Sequence, residues 1–181
     1  MAAARETVLA RARAIRLLAC DVDGVLTDGK LQFHADGERI VEAKSFSILD
    51  GFGIKLLQET GVAVALITGR RSPIVAHRAR EMGVRHLAQG AENKLEAWTA
   101  LRTTLGLAPE ETAYVGDDWP DLAVIRACGL GITVPNAPEL LQRHALYVTR
   151  ARGGDGAVRE ICELIMDAQG TLEARLAAWL Q

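Results

Sequence analysis

Short apolar runs recur along the chain at residues 15–20, 62–68, 86–89, 112–116, 131–134 and 147–149. Stretches with helical spacing separate them, and this alternation predicts an α/β fold of parallel βαβ units whose sheet is buried on both faces by helices. Pro73, Pro120 and Pro138 are placed to open helices, where a missing backbone N–H leaves no hydrogen bond unmade. Gly61, Gly83, Gly106 and Gly129 stand where helices are expected to stop. One stretch breaks the rhythm. Residues 30–35 and 38–44, joined by Asp36-Gly37, predict a β-hairpin inserted after the first sheet strand.

No internal repeat, low-complexity linker or shift in composition divides the chain, so one domain over 1–181 is expected. Within it the hairpin occupies about 30–44, and a C-terminal tail with further helices about 151–181. A chain of 181 residues that is 49% apolar can bury one good core, with little length left for a second. The apolar stripe from Val158 to Leu180 reads as packing or subunit contact.

Charge narrows the class of partner. With 21 basic and 23 acidic residues well mixed, the formal net charge is -2, which gives no footprint for nucleic acid or an anionic membrane. A small soluble ligand is the expected partner. Cys20, Cys128 and Cys162 lie in apolar runs without CxxC spacing and read as small core residues in a reducing compartment. The four histidines show no ligand spacing. The first twenty residues are interrupted by Glu6 and several arginines, leaving no apolar span or signal core, and a cytoplasmic location is expected.

Candidate chemistry gathers at the ends of the apolar runs, where an open α/β sheet holds its ligands. In Asp21-Val22-Asp23-Gly24 two carboxylates two residues apart point to the same side, so both can act on one substrate. Gly24 and Gly29 let the backbone turn and approach a phosphate. Thr68, in Ile67-Thr68-Gly69-Arg70, sets a hydroxyl at a second strand end. Lys94 opens a helical stretch over 93–105, where a cation can neutralise a transferring group. Gly116-Asp117-Asp118-Trp119-Pro120-Asp121 offers oxygen ligands of the kind Mg²⁺ takes. Each signal alone has an ordinary reading as a turn, a surface lysine or a helix cap; their occurrence in sequence order at successive strand ends is specific.

These four motifs resemble the haloacid-dehalogenase phosphatases, and the resemblance spans nearly the whole chain. It implies a Rossmann-like sheet, Asp21 as nucleophile, Asp23 as general acid and base, and Thr68 and Lys94 as phosphate holders. It also implies Mg²⁺ held by the Asp21 and Asp117 side chains and the Asp23 carbonyl, with Asp118 and Asp121 in support.

A narrower resemblance rests on the hairpin, on Lys44-Ser45-Phe46-Ser47-Ile48-Leu49-Asp50-Gly51-Phe52-Gly53-Ile54-Lys55, and on Gly153-Gly154-Asp155-Gly156-Ala157-Val158-Arg159-Glu160. These segments are similar to the 3-deoxy-D-manno-octulosonate 8-phosphate phosphatases. That resemblance implies a phosphorylated sugar acid as substrate, a place in lipopolysaccharide synthesis, no large cap domain, and a homotetramer whose neighbours complete each site. Ser47, Ile48, Leu49, Asp50, Gly51, Lys55, Arg70 and Arg78 would line the sugar-acid site together with Asp23 and Lys94. Leu49 stands where the pattern has a basic residue and Lys55 where it has arginine.

Competing readings are a phosphatase for a related acid such as a nonulosonate 9-phosphate, and a non-catalytic interaction module of the same fold. A signalling receiver places its acidic pair after the first strand and its acceptor later, and a phosphomutase needs a cap for which no segment is long enough.

Overall fold

The computed structural model describes residues 2–180. Its centre is a six-stranded parallel sheet built from β1 (Leu17–Cys20), β4 (Ala63–Thr68), β5 (His86–Gln89), β6 (Thr112–Gly116), β7 (Leu130–Thr133) and β8 (Tyr147–Val148). The spatial order is β5-β4-β1-β6-β7-β8. The chain therefore fills one side of β1 and then crosses to the other, which makes the carboxyl end of β1 the crevice where such sheets bind ligands. The six apolar runs match these strands to within two residues at either end.

Strand periodicity splits the core in two. Leu18 and Cys20 face one side with Val64, Leu66, Val115 and Ile132, covered by α1 (Ala2–Arg13), α2 (Ile48–Gln58), α3 (Pro73–Glu81) and α7 (Ala157–Ala168). Leu17 and Ala19 face the other with Ala65, Ile67 and Tyr114, covered by α4 (Lys94–Thr104), α5 (Leu122–Ala127) and α6 (Glu139–His144). A short α8 (Leu172–Ala177) follows.

The buried positions of α7 are Ala157, Val158, Ile161, Cys162, Ile165 and Met166, a stripe at helical spacing. The apolar stripe is thus packing along α7, whereas Leu176, Trp179 and Leu180 beyond it are exposed. Helix α1 had no sequence signal of its own; Val8 and Ala12 are its buried contacts with the core.

The hairpin consists of β2 (Gln32–Asp36) and β3 (Arg39–Ala43) as a separate two-stranded antiparallel sheet. Asp36 pairs with Arg39, so the loop is Gly37-Glu38 rather than Asp36-Gly37, and Gly37 supplies the positive φ of 59°.

Three helix boundaries differ from expectation. Pro138 precedes α6 as its cap, and Pro120 sits in a 3-10 turn before α5. Gly129 is no left-handed stop: a Cβ there would lie 2.3 Å from the carbonyl oxygen of Glu110, so close backbone approach is what requires glycine. Among the described residues no helix is long and apolar enough to cross a membrane. The three cysteines are free, and burial raises the pKa of all three thiols.

Candidate active site

The carboxyl ends of β1, β4 and β6 and the start of α4 surround a cavity of about 320 Å³ lined by Asp21, Asp23, Thr68, Arg70, Lys94 and Asp117, with Asp121 beneath. Asp21 follows β1 directly, and its backbone N–H donates to the Val115 carbonyl, which extends the sheet ladder by one residue and fixes the side chain at the cavity floor. Gly24 turns the chain away at φ 93°; a Cβ there would sit 1.9 Å from Asp117 Oδ2. Only a hydrogen at this position lets the β1 loop and the acidic loop after β6 share the space.

Lys94 is the positive centre of the floor. Its Nζ lies 2.9 Å from Asp21 Oδ1 and 2.7 Å from Asp121 Oδ1. Burial works against its charge, but the two carboxylates outweigh burial and the net pKa shift is upward. Asp121 is fully committed: Oδ1 also accepts from the Tyr114 hydroxyl at 2.6 Å, and Oδ2 accepts from the backbone N–H groups of Asp117 and Asp118. Asp118 caps the 3-10 turn by accepting from the Trp119 N–H at 2.8 Å.

Asp21, Asp117 and Asp121 bring carboxylate oxygens within 4.8 Å of one another. Burial first, then the neighbouring carboxylates, raise the pKa of both Asp21 and Asp117. Three carboxylates against one ammonium leave a shortage of positive charge that a hard divalent cation with oxygen ligands fits. Since Asp121 has spent its lone pairs on protein donors, Asp21 and Asp117 are the side chains free to hold such an ion.

Thr68 Oγ1 accepts from the Arg70 N–H at 3.3 Å, leaving its hydroxyl proton to donate to an anion in the cavity. The chain after β8 packs against the β1 loop. Gly154 N–H donates to the Val25 carbonyl at 2.8 Å, and a Cβ on Gly153 would lie 1.8 Å from the Gly24 carbonyl oxygen. Gly153 and Gly154 are thus docked against the β1 loop of their own chain.

A haloacid dehalogenase-like hydrolase family matches residues 83–161. The 3-deoxy-D-manno-octulosonate 8-phosphate phosphatase of Yersinia pestis is 47% identical over 168 residues, covering 93% of this chain and 88% of that protein. The chain belongs to the 3-deoxy-D-manno-octulosonate 8-phosphate phosphatase family. The family enzyme of Moraxella catarrhalis, crystallised with magnesium, phosphate and the sugar acid, superposes with a TM-score of 0.92 at 42% identity, covering 95% of this chain and 97% of that one. A phosphatase structure from Pseudomonas syringae superposes with a TM-score of 0.94 at 50% identity, covering 97% and 98%.

The residues expected from the family resemblance divide into three groups. Asp21, Asp23, Thr68, Arg70, Lys94 and Asp117 meet at the cavity. Ser47, Asp50, Gly51 and Arg78 gather instead at the start of α2. There Ser47 caps the helix, and Arg78 donates to the Ser47 carbonyl at 3.2 Å. A Cβ on Gly51 would meet Arg78 Nη2 at 2.3 Å. The Asp50 carboxylate is buried and accepts from the Gly156 and Arg159 N–H groups, so it ties α2 to the start of α7. Ile48, Leu49 and Lys55 are exposed and do not line the cavity of this chain.

Sequence reasoning passed over Lys44 and Glu42. Lys44 Nζ is ion-paired with Asp23 Oδ1 and lies 3.4 Å from Glu42 Oε1, while Arg70 Nη2 lies 2.7 Å from the same Glu42 oxygen. The two-residue spacing puts Glu42 and Lys44 on one side of the hairpin stem, the only hint that the sequence held.

Proposed function

We propose that the chain is a Mg²⁺-dependent phosphatase that hydrolyses 3-deoxy-D-manno-octulosonate 8-phosphate through a phospho-aspartate on Asp21. The carrying observation is Asp21 held at a strand end by Lys94, beside Asp117 and the carboxylate of Asp23. The 47% identity with named phosphatases over most of the chain supports the substrate.

Asp21 attacks phosphorus and the bond to the sugar oxygen breaks, with Asp23 giving that oxygen its proton. Asp23, now a carboxylate, takes a proton from water, which attacks phosphorus and frees Asp21 and inorganic phosphate. General acid–base catalysis of this kind contributes roughly a hundred to ten thousand fold. The Thr68 hydroxyl and the Lys94 ammonium hold phosphoryl oxygens during both steps. Bound Mg²⁺, on Asp21, Asp117 and the Asp23 carbonyl, supplies the charge neutralisation that lets a carboxylate approach a phosphate dianion.

Arg70 at the rim and Arg78 at the α2 start are suited to the substrate carboxylate through their planar forks. Their separation into two groups within one chain fits a site completed by a neighbour. The hairpin supports the same reading: Phe33, Ile40 and Val41 are exposed on a two-stranded sheet with unpaired edges, with Leu31 exposed just before it, the kind of surface that proteins cover by association. The reading is therefore a cytoplasmic homotetramer in the lipopolysaccharide sugar pathway.

Phosphate release across a panel of phosphorylated sugar acids, with and without Mg²⁺, tests this function. The octulosonate ester should be turned over fastest and only with the metal; a stronger preference for a nonulosonate 9-phosphate would replace the substrate.

A further inference from the structure

Although the hairpin is exposed along nearly its whole length, the residue that follows β3 is not: the Lys44 side chain is 2% exposed. An ammonium is seldom buried unless it is paired, and Lys44 is paired twice, with Asp23 Oδ1 and with Glu42 Oε1 at 3.4 Å. Glu42 is held in turn by Arg70 at 2.7 Å, and Arg70 Nε stands 3.9 Å from the other Asp23 oxygen, Oδ2. Two carboxylates and two cations thus alternate in a closed ring that joins the hairpin stem, the β1 loop and the end of β4.

We propose that Lys44 is a positioning residue for the reaction: from the base of the hairpin it fixes the Asp23 carboxylate through Oδ1, so that Oδ2, on the Arg70 side of the cavity, is the oxygen that exchanges protons with the leaving group and with water. This rests on the reading of Asp23 as acid and base. Asp23 follows the strand end on a loop, and among the described residues its carboxylate has ion pairs with Lys44 and Arg70 alone. Without Lys44 the carboxylate can turn about its side-chain bonds, and a proton donor displaced from its line of transfer loses much of its effect. An ordinary exposed ion pair would contribute little to stability, whereas one buried at the rim of the cavity acts on geometry.

The test uses the full chain with Mg²⁺ and two esters: a sugar phosphate, whose alkoxide leaves poorly without a proton, and p-nitrophenyl phosphate, whose phenolate leaves unaided. Lys44→Met should lower kcat on the sugar phosphate by about ten to a hundred fold, a part of what the acid–base group supplies, with KM little changed. Its first-turnover burst with p-nitrophenyl phosphate should be nearly that of the unaltered protein, and Lys44→Arg should recover most of the loss. In an Asp23→Asn background, Lys44→Met should lower kcat on the sugar phosphate no further, since both changes act on one group. Lys44→Gln carries the same expectations if the methionine variant folds poorly. Equal losses on both esters, or full additivity with Asp23→Asn, would overturn the inference and leave the proposed function intact. Full activity of Asp23→Asn on the sugar phosphate would overturn both.

Discussion

Lys94 Nζ lies between Asp21 Oδ1 and Asp121 Oδ1, at 2.9 and 2.7 Å, with all three groups withdrawn from solvent. The Asp21 carboxylate is therefore held by a lysine that is itself held by a second carboxylate. Asp121→Asn leaves the shape but sets an amide among the Tyr114 hydroxyl, Lys94 and two backbone donors. Breaking a buried charged set of this kind typically costs about 3–5 kcal/mol. Urea unfolding of the variant should show a loss of that order; a loss below about 1 kcal/mol, the range of exposed pairs, would mean that Asp121 is dispensable to the floor.

Metal and pH should act on stability together. The folded chain raises the Asp21 and Asp117 pKa values, so between their unfolded and folded values the folded state binds more protons than the unfolded one. Without metal, their contribution to stability must fall as pH climbs from the usual carboxylate range, about 4, toward neutrality. A divalent cation reverses the penalty by favouring the ionised carboxylates. The difference in Tm between Mg²⁺ and chelator should widen from pH 5 to pH 8, as calorimetry can measure. A difference that is constant with pH would place the ion elsewhere.

The strands were legible because strict parallel burial leaves apolar runs, and the motif residues were legible because each closes such a run. Thr68, Asp21 and Gly116 each end or directly follow a strand. Helix α1 was not, since its buried residues Val8 and Ala12 give almost no stripe. The ring of Lys44, Glu42, Asp23 and Arg70 was hidden for another reason: the sequence separation between Asp23 and Lys44 is bridged by a hairpin whose angle to the sheet no local pattern encodes. The tie from Asp50 to Gly156 and Arg159 was hidden likewise, because it spans more than a hundred residues.

Arg70 and Arg78 carry the prediction about substrate. Losing one charge-assisted contact costs roughly 1.5–3 kcal/mol, which is about ten to a hundred fold in rate. Arg70→Ala and Arg78→Ala should each lower kcat/KM on the sugar acid phosphate by that factor, and should change little the first-turnover burst on p-nitrophenyl phosphate, which has no carboxylate and whose leaving group needs no proton. Equal losses on both substrates would make these arginines part of the phosphate site or of the fold.

The hairpin is where the proposed assembly can be tested. Light scattering at micromolar concentration should give about four times the chain mass of 19.5 kDa. Phe33→Asp with Ile40→Asp, which put charge on the exposed apolar surface, should yield a smaller species. A monomeric unaltered protein would contradict the expectation.

Asp21 is the group proposed to receive phosphate. Rapid acid quench during turnover of the sugar acid phosphate with Mg²⁺, followed by mass spectrometry of peptides, measures this directly. A phosphoryl group on the peptide carrying Asp21, at Asp21 itself and absent from the Asp21→Asn variant, is the predicted result; turnover by Asp21→Asn at the unaltered rate, with no phosphorylated peptide in either protein, would contradict it.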